Sequence, residues 1–224
     1  PSAEASSTVV TVNAMMELGD NVDYAISECE GLRRRGYDVV KIKVGRDMDP
    51  VSEAETINAI SDALHDVTMF RLDANRAWDL DEALTFALHL NHPFSCEVQY
   101  IEEPVADFND LQAFCKDENA MPVALDETLY SIQPAELVQI LRDNEMIERC
   151  VLKPSRIGSV EKVVQMVEAC ASVGRMAVIS SAFESPVGIA FLTQLAAMTD
   201  GIMEREGIFT SAHGLGTLEW FDQG

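Results

Sequence analysis

Met69-Phe70-Arg71-Leu72-Asp73-Ala74-Asn75-Arg76-Ala77-Trp78-Asp79 is the stretch on which the reading of this chain turns. In a β-strand successive side chains point to opposite faces, so Arg71, Asp73 and Asn75 share one face and Phe70 and Leu72 take the other. A strand flanked by apolar residues is a buried strand, and a buried carboxylate without a cation, donor or metal costs several kcal/mol. Asp73 therefore needs partners, and the rest of the chain offers them at regular distances.

Strands are expected over Val9–Met16, Tyr37–Val44, Met69–Asn75, Val98–Ile101, Val123–Leu125, Cys150–Leu152 and Met176–Ile179, where β-branched and aromatic residues cluster. Helical patterns lie between them. One ends at Arg33-Arg34-Arg35-Gly36, and the others cover Val51–Leu64, Asp81–Leu90, Asp110–Asp117, Ala135–Arg142, Ser159–Ser172 and Ser185–Met198. The stretch His213–Thr217 has no clear assignment. Lys43, Asp73, Glu102, Asp126, Lys153 and Ser180 close successive strands at separations of 30, 29, 24, 27 and 27 residues, each the length of one βα unit. Eight-stranded parallel barrels gather their reactive groups at these strand ends within roughly 200 to 250 residues. The 224 residues match that size. An open doubly wound sheet is the competing architecture, but no glycine-rich phosphate loop follows the first strand.

Acidic residues outnumber basic ones 38 to 16, for a formal charge of −22, which disfavours nucleic acid and anionic membrane surfaces. The run Val187–Met198 is too short to cross a bilayer and reads as a buried helix. Cysteines at 29, 96, 115, 150 and 170 form no C-x-x-C pair and read as buried reduced thiols. Residues 1–8 read as a linker or cut end, and 9–224 as the barrel.

Three carboxylates meeting about 5 Å apart repel by roughly 3 kcal/mol per pair at an effective dielectric near 20. A divalent cation held by Asp73, Glu102 and Asp126 removes that repulsion. All-oxygen ligation suits Mg²⁺, with Mn²⁺ as its substitute. Lys41 and Lys43 point the same way from the second strand, and Lys153 stands across the barrel on the sixth. For Lys43 to act as a base near neutrality, it must lose roughly 3 pKa units, about 4 kcal/mol. Such an arrangement suits proton removal from a carbon next to a carboxylate, in a small-molecule carboxylate substrate.

Lys41-Ile42-Lys43, Arg71 through Trp78, Ile101-Glu102-Glu103-Pro104, Asp126-Glu127, Val151-Leu152-Lys153-Pro154 and Ile179-Ser180-Ser181 together resemble the barrel of the enolase superfamily, muconate-lactonising branch. Within that branch the chain is most similar to the o-succinylbenzoate synthases of menaquinone and phylloquinone biosynthesis. The resemblance implies a (β/α)7β barrel and a syn dehydration of 2-succinyl-6-hydroxy-2,4-cyclohexadiene-1-carboxylate. It implies Lys43 as the base, Lys153 as an electrostatic stabiliser, and Lys41 as a tuning group. Asp73, Glu102 and Asp126 become metal ligands supported by Glu103. Arg71, Asn75, Ser180 and Ser181 become substrate contacts. Family members carry an N-terminal capping domain that is absent from this sequence. The chain is therefore expected to work with a cap or with fused pathway domains, and to turn over poorly by itself. The implied compartment is the cytoplasm, or the plastid stroma in a photosynthetic eukaryote. Two other readings are a racemase or epimerase of N-acylated amino acids or dipeptides, and a non-catalytic barrel module.

Overall fold

A computed structural model describes residues 9–19, 21–46, 48–64, 68–90, 97–210 and 212–218. The proposed linker at 1–8, Cys96 and Trp220 lie outside the described residues. Seven short strands alternate with helices. They are β1 (Ala14–Glu17), α1 (Val22–Arg34), β2 (Val39–Lys43), α2 (Pro50–Leu64), β3 (Met69–Asp73), α3 (Leu80–His89) and β4 (Val98–Glu102). Then come α4 (Phe108–Phe114), β5 (Val123–Leu125), a 3₁₀ turn (Glu127–Tyr130), α5 (Pro134–Asp143), β6 (Ile147–Leu152), α6 (Pro154–Ile157), α7 (Val160–Ser172), β7 (Met176–Ile179) and α8 (Pro186–Arg205).

The strands pair in parallel in the order β1 to β7. Parallel neighbours require a crossover, and each helix supplies one. The stretch at His213 and Gly214 then spans the seam. Val12 bridges His213, and Ser180 bridges Gly214, both in parallel sense. Asn13 N donates to His213 O at 3.0 Å, His213 N to Thr11 O at 2.8 Å, and Gly214 N to Ile179 O at 2.9 Å. These residues are a rudimentary eighth strand, which makes the architecture a (β/α)7β barrel. Pairing by single bridges also explains why the first regular strand starts at Ala14 rather than Val9. Gly214 is required at the seam, because a Cβ there would lie 2.5 Å from Ser180 Oγ.

His213 is a fastener of this seam. It is 1 % exposed, its Nδ1 accepts from Ile179 N at 2.9 Å, and its Nε2 stands 3.0 Å from Asp200 Oδ1 on α8. Acceptance at Nδ1 puts the proton on Nε2, which donates to Asp200.

Two separate apolar layers result. Between strands and helices runs a large core including Ile42, Phe70, Ile101, Leu125, Leu152 and Ile179. Inside the barrel a second, smaller cluster joins Tyr100, Ala124, Val151 and Val178. These inner residues sit two positions before Glu102, Asp126, Lys153 and Ser180, so the period of two stacks one polar group above one filling group on each strand.

Several helices differ from the expected limits. α4 starts at Phe108 because Asp107 caps it, accepting from Asn109 N and Asp110 N. α8 continues past Met198 to Arg205. By length and composition alone α8 could cross a membrane, but it buries Leu192, Leu195, Ala196, Ile202 and Met203 and packs on β7 and α7. Cys29, Cys150 and Cys170 are buried free thiols, and Cys115 is a half-buried one.

Candidate active site

The strand ends bring the expected groups to one mouth. Lys41 and Lys43 pair in register with Arg71 and Asp73, and Asp73 with Glu102. Lys41 Nζ donates to both Glu102 oxygens at 2.8 Å and lies 2.7 Å from Asp73 Oδ2. Lys43 Nζ reaches the same Asp73 oxygen at 2.5 Å and Asn75 Oδ1 at 2.8 Å. Across the barrel Lys153 pairs with Asp126 Oδ2, while Tyr130 OH donates to Asp126 Oδ1 at 2.9 Å. Asp73, Glu102 and Asp126 are all 0 % exposed.

Local backbone geometry sets these directions. Asn75 and Arg76 both take left-handed φ, +47° and +63°, so the chain turns sharply and Asn75 N donates back to Asp73 Oδ1 at 3.0 Å. Glu103, at φ +43°, points its carboxylate away from the mouth. It accepts from Asp126 N and Thr128 N at 2.8 Å, from Thr128 Oγ1 at 3.0 Å and from Arg76 Nε at 2.9 Å. Glu103 thus fixes the backbone that presents Asp126.

Charge balance within the cluster is uneven. Burial would raise the Asp73 carboxyl, but the Lys41 and Lys43 ammonium groups outweigh it and hold that carboxyl below the usual range. Glu102 goes the other way. Burial first, then Asp73, pushes it up to about 7 in spite of Lys41. Burial works against the charged forms of Lys41 and Lys153, but Asp73 and Glu102 raise Lys41, and Asp126 and Glu102 raise Lys153. Three carboxylates thus face three ammonium groups, and Glu102, buried between Asp73 and Asp126, is the acid held least firmly in its charged form.

Above these acids lies a small cavity of about 60 Å³, open to solvent, lined by Lys41, Lys43, Lys153, Ser180, Ser181 and Phe183, together with Asn13, Met15 and Thr217. Ser180 Oγ makes only long contacts, 3.4 Å to Gly214 O and 3.5 Å to Ser181 O. Ser181 Oγ donates to Glu184 Oε2 at 2.6 Å. Arg71 differs from the expectation of a substrate contact. It is 0 % exposed, lies over the Tyr100 ring at 5.2 Å, and donates to Asn13 Oδ1, Gln99 Oε1 and Ala212 O below the mouth. Asn75 engages Lys43. Tyr130 and Thr128 were missed by sequence reading, because a hydroxyl in a 3₁₀ turn carries no periodic signal.

The enolase C-terminal domain-like family matches residues 25–222. The chain belongs to this family. Its strand-end acids and lysines are thus set in an enolase-type barrel. Over 200 residues it is 34% identical to Protein PHYLLO, chloroplastic, of Arabidopsis thaliana, a match covering 86% of this chain and 11% of PHYLLO. Over 169 residues it is 34% identical to the o-succinylbenzoate synthase of Salmonella heidelberg (strain SL476), covering 75% of this chain and 50% of that enzyme. The chain therefore spans half or less of the length of these curated relatives. Among solved structures, MenC from Desulfotalea psychrophila LSv54 aligns with a TM-score of 0.75 at 23% identity, over 92% of this chain and 53% of that one. The dipeptide epimerase of Enterococcus faecalis V583 gives 0.74 at 22%, over 93% and 56%. A mandelate racemase/muconate-lactonizing enzyme relative from Roseovarius nubinhibens ISM, solved with magnesium, gives 0.77 at 22%, over 94% and 55%. At such identities these structures establish the fold alone.

The donor set of this enolase-type barrel fits a hard divalent cation by its chemistry. Three buried carboxylates stand at adjacent strand ends, and one of them, Glu102, is pushed toward protonation by its burial and then by Asp73. In this arrangement their oxygens face ammonium groups instead, and among the described residues no three acidic, histidine or cysteine side chains form a ready cage.

Proposed function

We propose that this barrel performs the dehydration of 2-succinyl-6-hydroxy-2,4-cyclohexadiene-1-carboxylate to o-succinylbenzoate. The observation that carries the reading is Lys43 and Lys153 facing one cavity from opposite sides, over three buried acids. Identity to the Salmonella o-succinylbenzoate synthase supports the substrate choice.

Lys43 Nζ, oriented by Asn75, takes the proton from the carbon next to the carboxylate and delivers it to the leaving hydroxyl on the same face. The C–H and C–O bonds break, the ring becomes aromatic, and water departs. Lys153 stays an ammonium and faces the negative charge that develops on the carboxylate. Lys41 keeps Asp73 and Glu102 oriented. Bound Mg²⁺, or Mn²⁺ in its place, would be held by Asp73, Glu102 and Asp126 and would supply Lewis-acid neutralisation of the substrate carboxylate. Ser180 is the better hydroxyl for substrate, since the Ser181 proton goes to Glu184.

The short coverage of PHYLLO supports a setting in which the barrel is one module of a longer polypeptide, and that relative's name supports a plastid. A dipeptide epimerase with the same fold supports a second reading, racemisation or epimerisation by the same lysines. Assay of the chain with Mg²⁺ against the cyclohexadiene carboxylate and against N-succinyl amino acids and dipeptides separates the two. Formation of o-succinylbenzoate is the expected result, and turnover of the amino-acid substrates alone would overturn the lyase reading. A folded chain that binds no Mg²⁺ at millimolar concentration in calorimetry would favour an inert module.

A further inference from the structure

We infer that Tyr130 is a positioning residue that sets the cation preference of this site. By holding one oxygen of Asp126 it leaves that carboxylate a single oxygen for a metal, which favours Mg²⁺ over the larger Ca²⁺. The inference rests on the metal reading above and carries it to a residue outside the set of acids and lysines.

The two aspartates of the site are built alike. Asp73 Oδ1 accepts from Asn75 N at 3.0 Å, while its Oδ2 meets the Lys41 and Lys43 ammonium groups at 2.7 and 2.5 Å. Asp126 Oδ1 accepts from Tyr130 OH at 2.9 Å, while its Oδ2 meets Lys153. Each aspartate thus has one oxygen tied to a neutral donor and one turned to an ammonium that lines the cavity. Glu102 differs, since both its oxygens accept from Lys41 at 2.8 Å. The donor on Asp73 is a backbone N–H, whereas the donor on Asp126 is a side chain, so the residue at that place decides whether the second oxygen is withheld.

Both ends of the Tyr130–Asp126 bond are fixed. The Tyr130 ring packs against the main core, and Tyr130 ends the 3₁₀ turn that Asp126 opens. Leu129 N donates to Asp126 O at 3.0 Å, and Glu103 fastens the same turn by accepting from Asp126 N and Thr128 N. A phenol keeps its proton at neutral pH and donates it. Ca²⁺ gathers more oxygens than Mg²⁺ and accepts both from one carboxylate, whereas Mg²⁺ demands a near-octahedral array that such chelation distorts. An aspartate with one oxygen withheld therefore serves the smaller ion and denies the larger one a ligand.

The test titrates Mg²⁺ and Ca²⁺ separately, by calorimetry, into wild type and into Tyr130→Phe, which keeps the ring and loses the donor. Melting temperatures are taken without metal. Wild type should bind Mg²⁺ at least about tenfold more tightly than Ca²⁺, and Tyr130→Phe should narrow that ratio roughly tenfold. Melting should fall by no more than about 4 °C, the scale of one lost hydrogen bond. A hydroxyl that merely braced the turn would weaken both ions alike, so an unchanged ratio overturns the inference. A Tyr130→Phe chain that circular dichroism shows to be unfolded overturns it too, as does a wild type without preference for Mg²⁺. Wild type that binds neither ion removes the metal reading itself and this inference with it, whereas Mg²⁺ binding with a ratio that survives the substitution removes the inference alone.

Discussion

The mouth of the barrel and the layer just beneath it both hold buried charge, yet they neutralise it in opposite ways. Beneath the mouth, the Arg71 and Arg149 guanidinium groups sit 5.2 Å from the Tyr100 ring, and Arg71 donates to the neutral oxygens of Asn13, Gln99 and Ala212. At the mouth, lysines meet carboxylates directly, and Glu102 is left pushed up to about 7. Arg71, donating to fixed neutral acceptors, is construction, whereas Arg149 shares its Nη1 between the Gln99 carbonyl at 3.1 Å and the Glu148 carboxylate at 3.2 Å. A cluster in which one acid is pushed toward its neutral form is a place where an added cation or anion changes the balance. Two positions along one strand, Arg71 to Asp73, separate the two regimes.

The largest effect that would sharpen this contrast is loss of chemistry at the mouth. Lys43→Met and Lys153→Met should each lower kcat roughly 10³- to 10⁴-fold in the lyase assay, with circular dichroism unchanged. Retained turnover in either would break the assignment. Beneath the mouth the expected damage is to stability instead. Arg71→Leu leaves buried acceptors unpaired and should cost about 3 kcal/mol by denaturant titration. Substrate KM per folded molecule should hardly move, and a large KM change at full stability would return Arg71 to the substrate site.

Glu102→Gln tests that acid directly. A neutral isostere keeps only one of the two hydrogen bonds from Lys41 but removes repulsion with Asp73 and Asp126, and with the two changes offsetting, stability without metal should stay within about 1 kcal/mol. Mg²⁺ affinity by calorimetry should fall at least roughly tenfold, because a formal charge is lost from the donor set. A large stability loss would mean that Glu102 is a fastener like Arg71.

Most of the architecture was legible because the period of two and the βα repeat are properties of single strands. Asp73, Glu102, Asp126, Lys43 and Lys153 stand at strand ends, so finding the strands found the residues. The rest depends on contacts between distant segments. Arg71 shares a face with Asp73, and nothing in the sequence says that Ala212, 141 residues later, would take its proton donors. The seam at His213 and Gly214 was illegible for the same reason, since two bridged residues carry no strand pattern of their own. Ser181 faces the cavity as its position implies, but its commitment to Glu184 follows from a loop conformation rather than from composition.

The smallest effect concerns that loop, and its pH dependence shows whether the rim belongs with the mouth or with the layer below. Burial would raise the Glu184 carboxyl, but hydrogen bonds from Ser155, Ser181 and Ala182 outweigh it and hold the group below its ordinary value of 4.5. A carboxyl whose pKa is depressed by folding adds stability that is complete above the unfolded value and is lost as pH falls through the folded one. Glu184→Gln should therefore be less stable than wild type at pH 7, by under about 1 kcal/mol since solvent screens a group this exposed. The gap in melting temperature should close as pH drops below 4.5, where wild type gains the proton that the amide imitates. A gap that stays constant with pH would mean that shape rather than charge holds the loop, and the rim would then resemble the Arg71 layer more than the lysine cluster it borders.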